Sequence, residues 1–350
     1  MPQVREIAEA VERLAPPSLA EAWDNCGLQV GNPAAEVGRV LVALTPLPEV
    51  FEEAEASGAD FLLFHHPLIF GGLNAVDTGA YPGNLIHRAI RGDLAVYAAH
   101  TSYDAAPNGV SVPLAEILGL AGPLEVVAPR GGLCKLVVFT PKENLDEVAG
   151  ALAGAGGNGD YAQYTFLPGD AANPYPGGRG RPEGAGGFRL ETVVPAYLAS
   201  RAAAAASAAH PSEEIALDVY PLEGHPEGCG YGRIGDLPRP LLPGELVDHV
   251  SAGLGFPARL VSDPEPHHRV GRVAVLGGSG GSFMREVAAS RAQAYVTGDL
   301  DYHDALLAES LGLVAIDAGH AATELPSLAP LARRLSELVD VPVTASEIRR

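Results

Sequence analysis

Hydrophobic and polar positions in the first part of the chain alternate between a helical period and short apolar runs. Apolar residues at positions 4, 7, 8, 11 and 14 predict a helix over 3–14, ended by a proline pair. The runs RVLVAL (39–44), DFLLF (60–64) and LAVYAAH (94–100) predict strands, and PEVFEEAEASG and GNLIHRAIRGD between them predict helices. Strands that alternate with helices indicate parallel pairing in a layered α/β domain.

This pattern changes near residue 122. CKLVVFT predicts a strand and PKENLDEVAGALAGAG a helix, and a Gly- and Pro-rich, nearly structureless stretch follows over about 154–187. FRLETVVP, AYLASRAAAAASAAH and EEIALDVYPL then predict a strand, a helix and a strand, an order close to a split βαβ or ferredoxin-like module. The α/β alternation resumes afterwards. We therefore predict an α/β domain formed by 1–128 and 229–350, with an inserted α+β ferredoxin-like domain at 129–228.

Charge and cysteine content narrow the classes of function. The net charge of −20, from 23 Lys and Arg against 43 Asp and Glu, disfavours nucleic-acid binding, which needs a basic face. Cys26, Cys134 and Cys229 lie far apart without a C-x-x-C spacing, so a reducing, cytoplasmic compartment is expected. Neither a signal-peptide apolar segment nor a run of about 18 apolar residues occurs, so no membrane span is expected.

Two adjacent histidines stand in the apolar stretch FLLFHHPLIF, residues 61–70. Burying His65 and His66 costs free energy unless both nitrogens of each ring find partners. Both follow a predicted buried strand, and ligands of open α/β sheets bind at the carboxyl ends of strands. Pro67 supports the end of the strand at this point. Two separately hydrogen-bonded histidines are the alternative for this dipeptide alone.

Two more predicted strands end in the same kinds of residue. His100 ends the strand of YAAHTSYD and Asp104 follows four residues later, although Asp104 alone fits a turn. After the strand of YVTG, the spacing of Asp299 and His303 places both on one face of the predicted helix. The alternative for Asp299 is a helix N-cap.

His320 and Glu324 form the last such pair, spaced i, i+4 after the strand in LVAIDAG, with a solvated pair as the alternative. Because parallel strands deliver their carboxyl ends to one edge, we expect all these side chains to converge there. Imidazoles and carboxylates without thiolates suit Zn, Fe, Mn, Co or Ni. The number of ligands favours two divalent metal ions.

A glycine-rich segment, VLGGSGGSF (275–283), lies between a predicted strand and a predicted helix. It matches neither the dinucleotide-binding nor the Walker A pattern, so it does not indicate nucleotide binding. Its backbone N–H groups are placed to hold an anion, and a close-packed turn is the equally weighted alternative.

Taken in order, the motifs EAWDNCGLQVG, FHHPLIF, HTSYDAAPNG, GGSGGS, TGDLDYHDA and DAGHAATE resemble those of the Nif-three-like dinuclear metal-centre family, also called the GTP cyclohydrolase I type 2 family. The resemblance spans about 4–125 and 229–340, and the middle module resembles the PII-like or CutA-like insertion of longer members. It implies a toroidal homohexamer with its metal sites facing an internal cavity, and a small molecule as substrate or ligand.

The resemblance also implies which residues bind metal. It places His65 and Asp104 on one metal ion and His66 and His320 on the other. Glu324 would bridge the two ions.

Three further residues match family positions beside the metal ions, namely His100, Asp299 and His303. Of these, His303 is expected to donate a proton or to contact a metal-binding side chain. The chain departs from the family pattern in two places. An Asp usually follows LVAL, where this chain has Thr45, and PYPGGRGRPEGAGG only loosely follows an aromatic-containing loop of the insertion.

These expectations combine into a dinuclear-metal-dependent hydrolase. A metal-bridged water would attack an electrophilic carbon or phosphorus. A nucleotide or another phosphoester is the expected substrate, and a cyclic amide fits the site equally well. The family name suggests opening of the GTP ring, but nothing in the sequence specifies guanine. The alternative is a non-catalytic metal-binding regulatory or scaffold protein that senses a small ligand through the insertion.

Overall fold

The computed structural model of the chain describes residues 1–157, 163–167, 187–212 and 215–349. The chain divides into two compact units, one formed by Met1–Pro129 with Gly228–Arg350 and the other by Arg130–Glu227. In the described residues no helix has both the length and the apolar character that crossing a membrane requires.

Strands and helices alternate along much of the chain. The strands are β1 (Gly27–Val30), β2 (Val40–Ala43), β3 (Phe61–Phe64), β4 (Ala95–Ala98), β5 (Ala121–Pro129), β6 (Leu133–Pro141), β7 (Gln163–Leu167), β8 (Gly187–Pro195), β9 (Leu217–Leu222), β10 (Gly230–Leu241), β11 (Arg259–Ser262), β12 (Val270–Ser279), β13 (Ala294–Gly298), β14 (Val314–Asp317) and β15 (Val343–Ala345). The helices are α1 (Val4–Leu14), α2 (Pro48–Ser57), α3 (Gly83–Arg91), α4 (Thr101–Asp104), α5 (Ser111–Ile117), α6 (Leu145–Gly154), α7 (Ala199–Ala209), α8 (Pro243–Leu254), α9 (Met284–Ala289), α10 (Tyr302–Ser310), α11 (His320–Glu324) and α12 (Leu328–Ser336).

A five-stranded sheet in the order β1-β4-β3-β2-β15 carries the first half of the site. Strands β15, β2, β3 and β4 are parallel, and β1 is antiparallel to β4. Every residue of β2, β3 and β4 is buried, as expected for strands with both faces covered. Helices α1 and α12 pack on one face of this sheet, and α2 and α3 pack on the other.

A six-stranded sheet in the order β11-β14-β13-β12-β10-β5 carries the second half. Strands β12, β13 and β14 are parallel, while β11, β10 and β5 pair antiparallel with their neighbours. Apolar residues of this sheet pack with those of α5 and α8. The predicted α/β fold is confirmed, but the sequence pattern missed the twelve-residue strand β10 altogether. Glycine, proline and charged residues interrupt β10, so it has no continuous apolar run of the kind that predicts a strand.

A buried arginine joins parts of the first unit that are distant in sequence. The Arg233 guanidinium on β10 donates to the carbonyl oxygens of Ala106 and Pro107, which follow α4. It also donates to the carbonyls of Gly228 and Gly230. Burial lowers the pKa of Arg233 to about 10, and these carbonyls are the partners that a buried cation requires. The turn after Asp104 is therefore fixed to the six-stranded sheet.

The second unit is a four-stranded antiparallel sheet in the order β7-β8-β6-β9. Helices α6 and α7 pack on the sheet through a core that includes Leu136, Val148, Leu152 and Ala202. The prediction that 154–187 is nearly structureless is wrong for 163–167, which form β7 and pair with β8. For 158–162 and 168–186 the prediction lies outside the described residues. Strand β7 was not predicted because its five residues lie within a Gly- and Pro-rich segment. The element order β-α-β-β-α-β is the ferredoxin-like one.

Candidate metal centre

The two adjacent histidines lie just beyond the end of β3. Their backbone N–H groups still pair with the β2 side of the sheet, donating to the carbonyls of Ala43 and Leu44. The two rings are 5.0 Å apart. His65 is only 1% exposed, and its Nδ1 donates to the carbonyl of Ala99 at 3.1 Å. Because a carbonyl only accepts, the proton of neutral His65 resides on Nδ1, and the lone pair of Nε2 faces inward.

Glu324 lies at the centre of the cluster. Its Oε1 is 3.2 Å from Nε2 of His320 and 3.4 Å from Nε2 of His65, and its Oε2 is 3.1 Å from Nε2 of His66. The i, i+4 spacing on α11 brings Glu324 to His320. Asp104, at the end of α4, has its Oδ1 3.7 Å from Nε2 of His65. The structure thus brings together the five side chains for which the family resemblance implies metal binding.

The cluster forms between two sheets. The residues after β3 and β4 belong to the five-stranded sheet, and those after β13 and β14 belong to the six-stranded sheet. The prediction that one sheet edge gathers all the residues is wrong. The carboxyl ends of β3 and β4 in one sheet and those of β13 and β14 in the other both lie at the cluster. The alternation of strands and helices cannot distinguish one sheet from two, because it is the same in both cases.

Each histidine at the centre has its outer nitrogen held by another group. Nδ1 of His66 hydrogen-bonds with the Thr45 hydroxyl at 3.0 Å, and Nδ1 of His320 donates to Asp299 at 2.7 Å. Outer contacts of this kind fix the orientation and tautomer of metal-binding histidines. Thr45 therefore supplies a polar contact to one imidazole of the cluster.

Asp24 holds the ring of a fourth histidine, His100. The sequence pattern did not single out Asp24. Its side chain is fully buried, with Oδ1 accepting from Nδ1 of His100 at 2.9 Å. Its Oδ2 accepts from the backbone N–H and hydroxyl of Thr101. Burial raises the pKa of Asp24, but hydrogen bonds from His100 and Thr101 outweigh it and hold the carboxyl well below its usual range. The signal in the sequence was its place in the motif EAWDNCGLQVG.

The donor atoms fit divalent cations. Three buried atoms at the centre lie near other polar atoms but make no hydrogen bond of normal geometry: Nε2 of His65, Oδ1 of Asp104 and Oε2 of Glu324. Buried polar atoms in folded proteins nearly always have partners, so these three point to an ion. Two groups offer ligand atoms within 4.8 Å of one another. They are His65, His66 and His100, and His66, His320 and Glu324.

Charge coupling within the cluster shifts the pKa values of its members in the metal-free protein. Burial lowers the pKa of His65, but the charges of Asp104 and Glu324 outweigh it and raise the pKa to about 9. Burial raises the pKa of Asp104 to about 6. Burial also acts to raise the pKa of Glu324, yet the charge of His65 and the hydrogen bond to His320 hold it well below its usual range. The cluster therefore holds protons that cations would displace.

Asp299 and His303 do not share a helix face, which corrects the prediction from their spacing. Helix α10 begins at Tyr302, and its N-cap is Asp301, whose side chain accepts from the N–H groups of His303 and Asp304. Asp299 precedes the helix with a φ of 56°. The ring of His303 is exposed beside Tyr302, and no contact recorded for the described residues joins it to the cluster. Its role as proton donor stays a prediction.

The glycine-rich segment packs directly against the cluster. Gly278, at the end of β12, has a φ of 76°, and a Cβ there would collide with Oε1 of Glu324. Its N–H donates to the hydroxyl of Thr323 at 2.9 Å. A Cβ on Gly298 would lie 2.6 Å from the backbone N of His320. These contacts fit a close-packed turn, in which only glycine lets β12 and β13 approach α11.

A family model described as Duf34/NIF3 (NGG1p interacting factor 3) matches residues 2–350. The chain belongs to the NIF3 family. The resemblance seen in the motifs is thereby confirmed. A Mycobacterium tuberculosis protein named GTP cyclohydrolase 1 type 2 homolog is 38% identical over 342 residues, covering 93% of this chain and 89% of the relative. A Bacillus subtilis protein of the same name is 37% identical over 334 residues, covering 92% and 89%.

Solved structures of NIF3-related proteins have the same fold. A Bacillus cereus protein related to NIF3 superimposes with a TM-score of 0.87 at 37% identity, covering 99% of this chain and 97% of that one. A Staphylococcus aureus protein gives a TM-score of 0.75 at 28% identity, with coverage of 99% and 97%. The fold of this NIF3-family protein is therefore shared along almost its entire length.

Proposed function

We propose that this NIF3-family protein is a metal-dependent hydrolase of nucleotides or other phosphoesters. His65 and Asp104 would hold one divalent cation, His66 and His320 a second, and Glu324 both. The observation that carries the proposal is the group of buried polar atoms without hydrogen-bond partners on His65, Asp104 and Glu324. Around them, Nδ1 of each of the three histidines His65, His66 and His320 is already held by another group. Such pre-oriented ligands typify metal sites rather than solvated ion pairs.

The bound cations supply Lewis acidity, which activates water and polarises the phosphoester. Hydrolysis forms a bond from the water oxygen to phosphorus and breaks the bond from phosphorus to the alcohol oxygen. The leaving oxygen then takes up a proton. His100 would take the proton that the attacking water loses and pass it to the leaving oxygen. It suits this role better than the other two predicted residues, because Asp24 fixes its Nδ1 and its ring lies 5.2 Å from that of His65. Asp299 would orient His320.

Turnover of a panel of phosphoesters by metal-loaded protein tests the proposal. We expect hydrolysis by the unaltered protein and by His87→Asn, since His87 is exposed on α3. We expect at least a 100-fold loss in His66→Asn combined with Glu324→Gln. Activity that survives in the double variant contradicts the proposal.

The alternative function is a regulatory or scaffold protein that uses the second unit to sense a small ligand. What favours it is that residues 130–227 form a compact unit with its own sheet, helices and apolar core. This alternative predicts full metal loading without turnover of any phosphoester. By resemblance to its family the protein would assemble as a homohexamer, which sedimentation of the purified chain would test.

A further inference from the structure

Two large aromatic side chains are exposed next to the metal centre. Trp23 is 62% exposed and Phe70 is 67% exposed, and their ring centroids are 6.0 Å apart. We call these two residues the aromatic pair. Both rings approach His100, with centroid distances of 6.2 Å and 6.3 Å. The His100 ring is in turn 5.2 Å from that of His65. The aromatic pair therefore borders the cluster through one shared imidazole.

The backbone that carries the aromatic pair is held in place. The side-chain amide of Asn25 donates to the carbonyl of Ile69 at 2.7 Å, and the N–H of Ile69 donates to Gln29 at 3.0 Å. Gln29 also donates to the carbonyl of Asn25 at 2.7 Å. These bonds fasten the segment after Trp23 to the segment before Phe70. The spacing of the two rings is thus set by a hydrogen-bonded frame.

Exposed aromatic surface of this size favours a flat ligand. An aromatic side chain buries about 150–250 Å² when it is covered, and stacking on a nucleic-acid base is worth about 1–3 kcal/mol for each base. In the described residues no ring contact joins Trp23 or Phe70 directly to His65 or His66. A ring held by the aromatic pair therefore lies beside His100 and outside the group of metal-binding atoms.

We propose that the aromatic pair binds the planar heteroaromatic ring of the substrate, while a phosphoester elsewhere in the same molecule reaches the metal centre. This inference rests on the proposed hydrolase function and specifies its substrate class. The bond that breaks is the one between phosphorus and the alcohol oxygen, with the elements of water added across it. The heteroaromatic ring is bound and leaves intact.

Trp23 is the single tryptophan of the chain, so its fluorescence reports on the aromatic pair directly. The probes are adenosine 5′-monophosphate, adenosine and ribose 5-phosphate, with excitation where none of them absorbs. We expect saturable quenching by the two probes that contain adenine and none by ribose 5-phosphate. Phe70→Leu keeps apolar bulk and removes the ring, so it should weaken binding of adenosine 5′-monophosphate roughly 5- to 150-fold. Phe70→Tyr keeps the ring and should bind normally.

Turnover distinguishes this inference from the proposed hydrolase. In Phe70→Leu we expect a higher KM for adenosine 5′-monophosphate and an unchanged KM for ribose 5-phosphate. The aromatic site is contradicted, and the hydrolase supported, if both phosphoesters are hydrolysed without quenching and Phe70→Leu changes the KM of both equally. Quenching that depends on Phe70 in a protein that hydrolyses nothing supports the aromatic site and overturns the hydrolase.

Discussion

Asp24→Asn is the substitution that probes the orientation of His100 most sharply. The side chain of Asp24 is fully buried and accepts from Nδ1 of His100 and from two donors of Thr101. Asparagine has nearly the same shape, but it lacks the charge and replaces one acceptor oxygen by an NH₂ donor. The remaining amide oxygen continues to accept from Thr101, which leaves the NH₂ group facing Nδ1 of His100.

The structure sets the size of the expected effect. Losing one hydrogen bond to a charged acceptor costs about 1.5–3 kcal/mol. His100 recovers part of this cost by moving its proton to Nε2, so that Nδ1 accepts from the amide. In that tautomer Nε2 presents N–H rather than a lone pair to the cluster. We expect the melting temperature to fall by a few degrees, at about 2–4 °C for each kcal/mol, and phosphoester turnover to fall about 100-fold or more.

The assays are thermal unfolding of metal-stripped protein, turnover of metal-loaded protein, and ¹⁵N chemical shifts of the imidazoles, which report the tautomer. Asp93→Asn is the matched control, because Asp93 is exposed and its φ of 52° also suits asparagine. A lower melting temperature with unchanged turnover and an unchanged His100 tautomer would contradict a role for Asp24 in orienting His100, since Asp24 would then only stabilise the fold.

Three further perturbations have expected outcomes. Gly278→Ala places a Cβ against Glu324 at a positive φ, so we expect the free energy of unfolding to fall by about 1–3 kcal/mol and the metal content to fall as well. In the control Gly72→Ala the added Cβ has no atom within contact distance, so neither quantity should change. Thr45→Val removes the hydroxyl that holds one imidazole, so chelator competition should show about 10- to 100-fold weaker metal binding, and Thr45→Ser should restore it. In metal-stripped protein the pKa of His65 is raised from 6.5 to about 9, so its contribution to stability is fully present below pH 6.5 and is lost as the pH rises towards 9. A melting temperature that rises over this interval contradicts the coupling of His65 to its carboxylate neighbours.

Much of the fold was predictable because buried parallel strands and their helices leave strong periodic signals. The runs ending at Leu44, Phe64 and His100 correspond to β2, β3 and β4, with ends that differ by one or two residues. Strands β7 and β10 left weaker signals, since one lies between Gly- and Pro-rich stretches and the other contains glycine and proline. The division of the strands between two sheets depends on tertiary packing, which periodicity does not encode.

The convergence of the cluster was predictable for a different reason. Polar residues directly after apolar strands have no role in the core, so His65 and His320 pointed to a site at the strand ends. Asp24 was missed because it follows no strand of that kind and acts through His100. The shared helix face of Asp299 and His303 was predicted wrongly, because the helix begins at Tyr302 behind an Asp301 cap. The chemical roles of all these residues stay predictions.

Metal content per chain, measured by mass spectrometry after purification and reloading, tests whether the cluster binds two cations. We expect two divalent cations for the unaltered protein and for His87→Asn. We expect one or fewer for His66→Asn and for Glu324→Gln, because these substitutions remove ligand atoms within 3.1 Å of each other. Equal metal content in all four proteins, or none in any, would contradict the binding of two cations by the cluster.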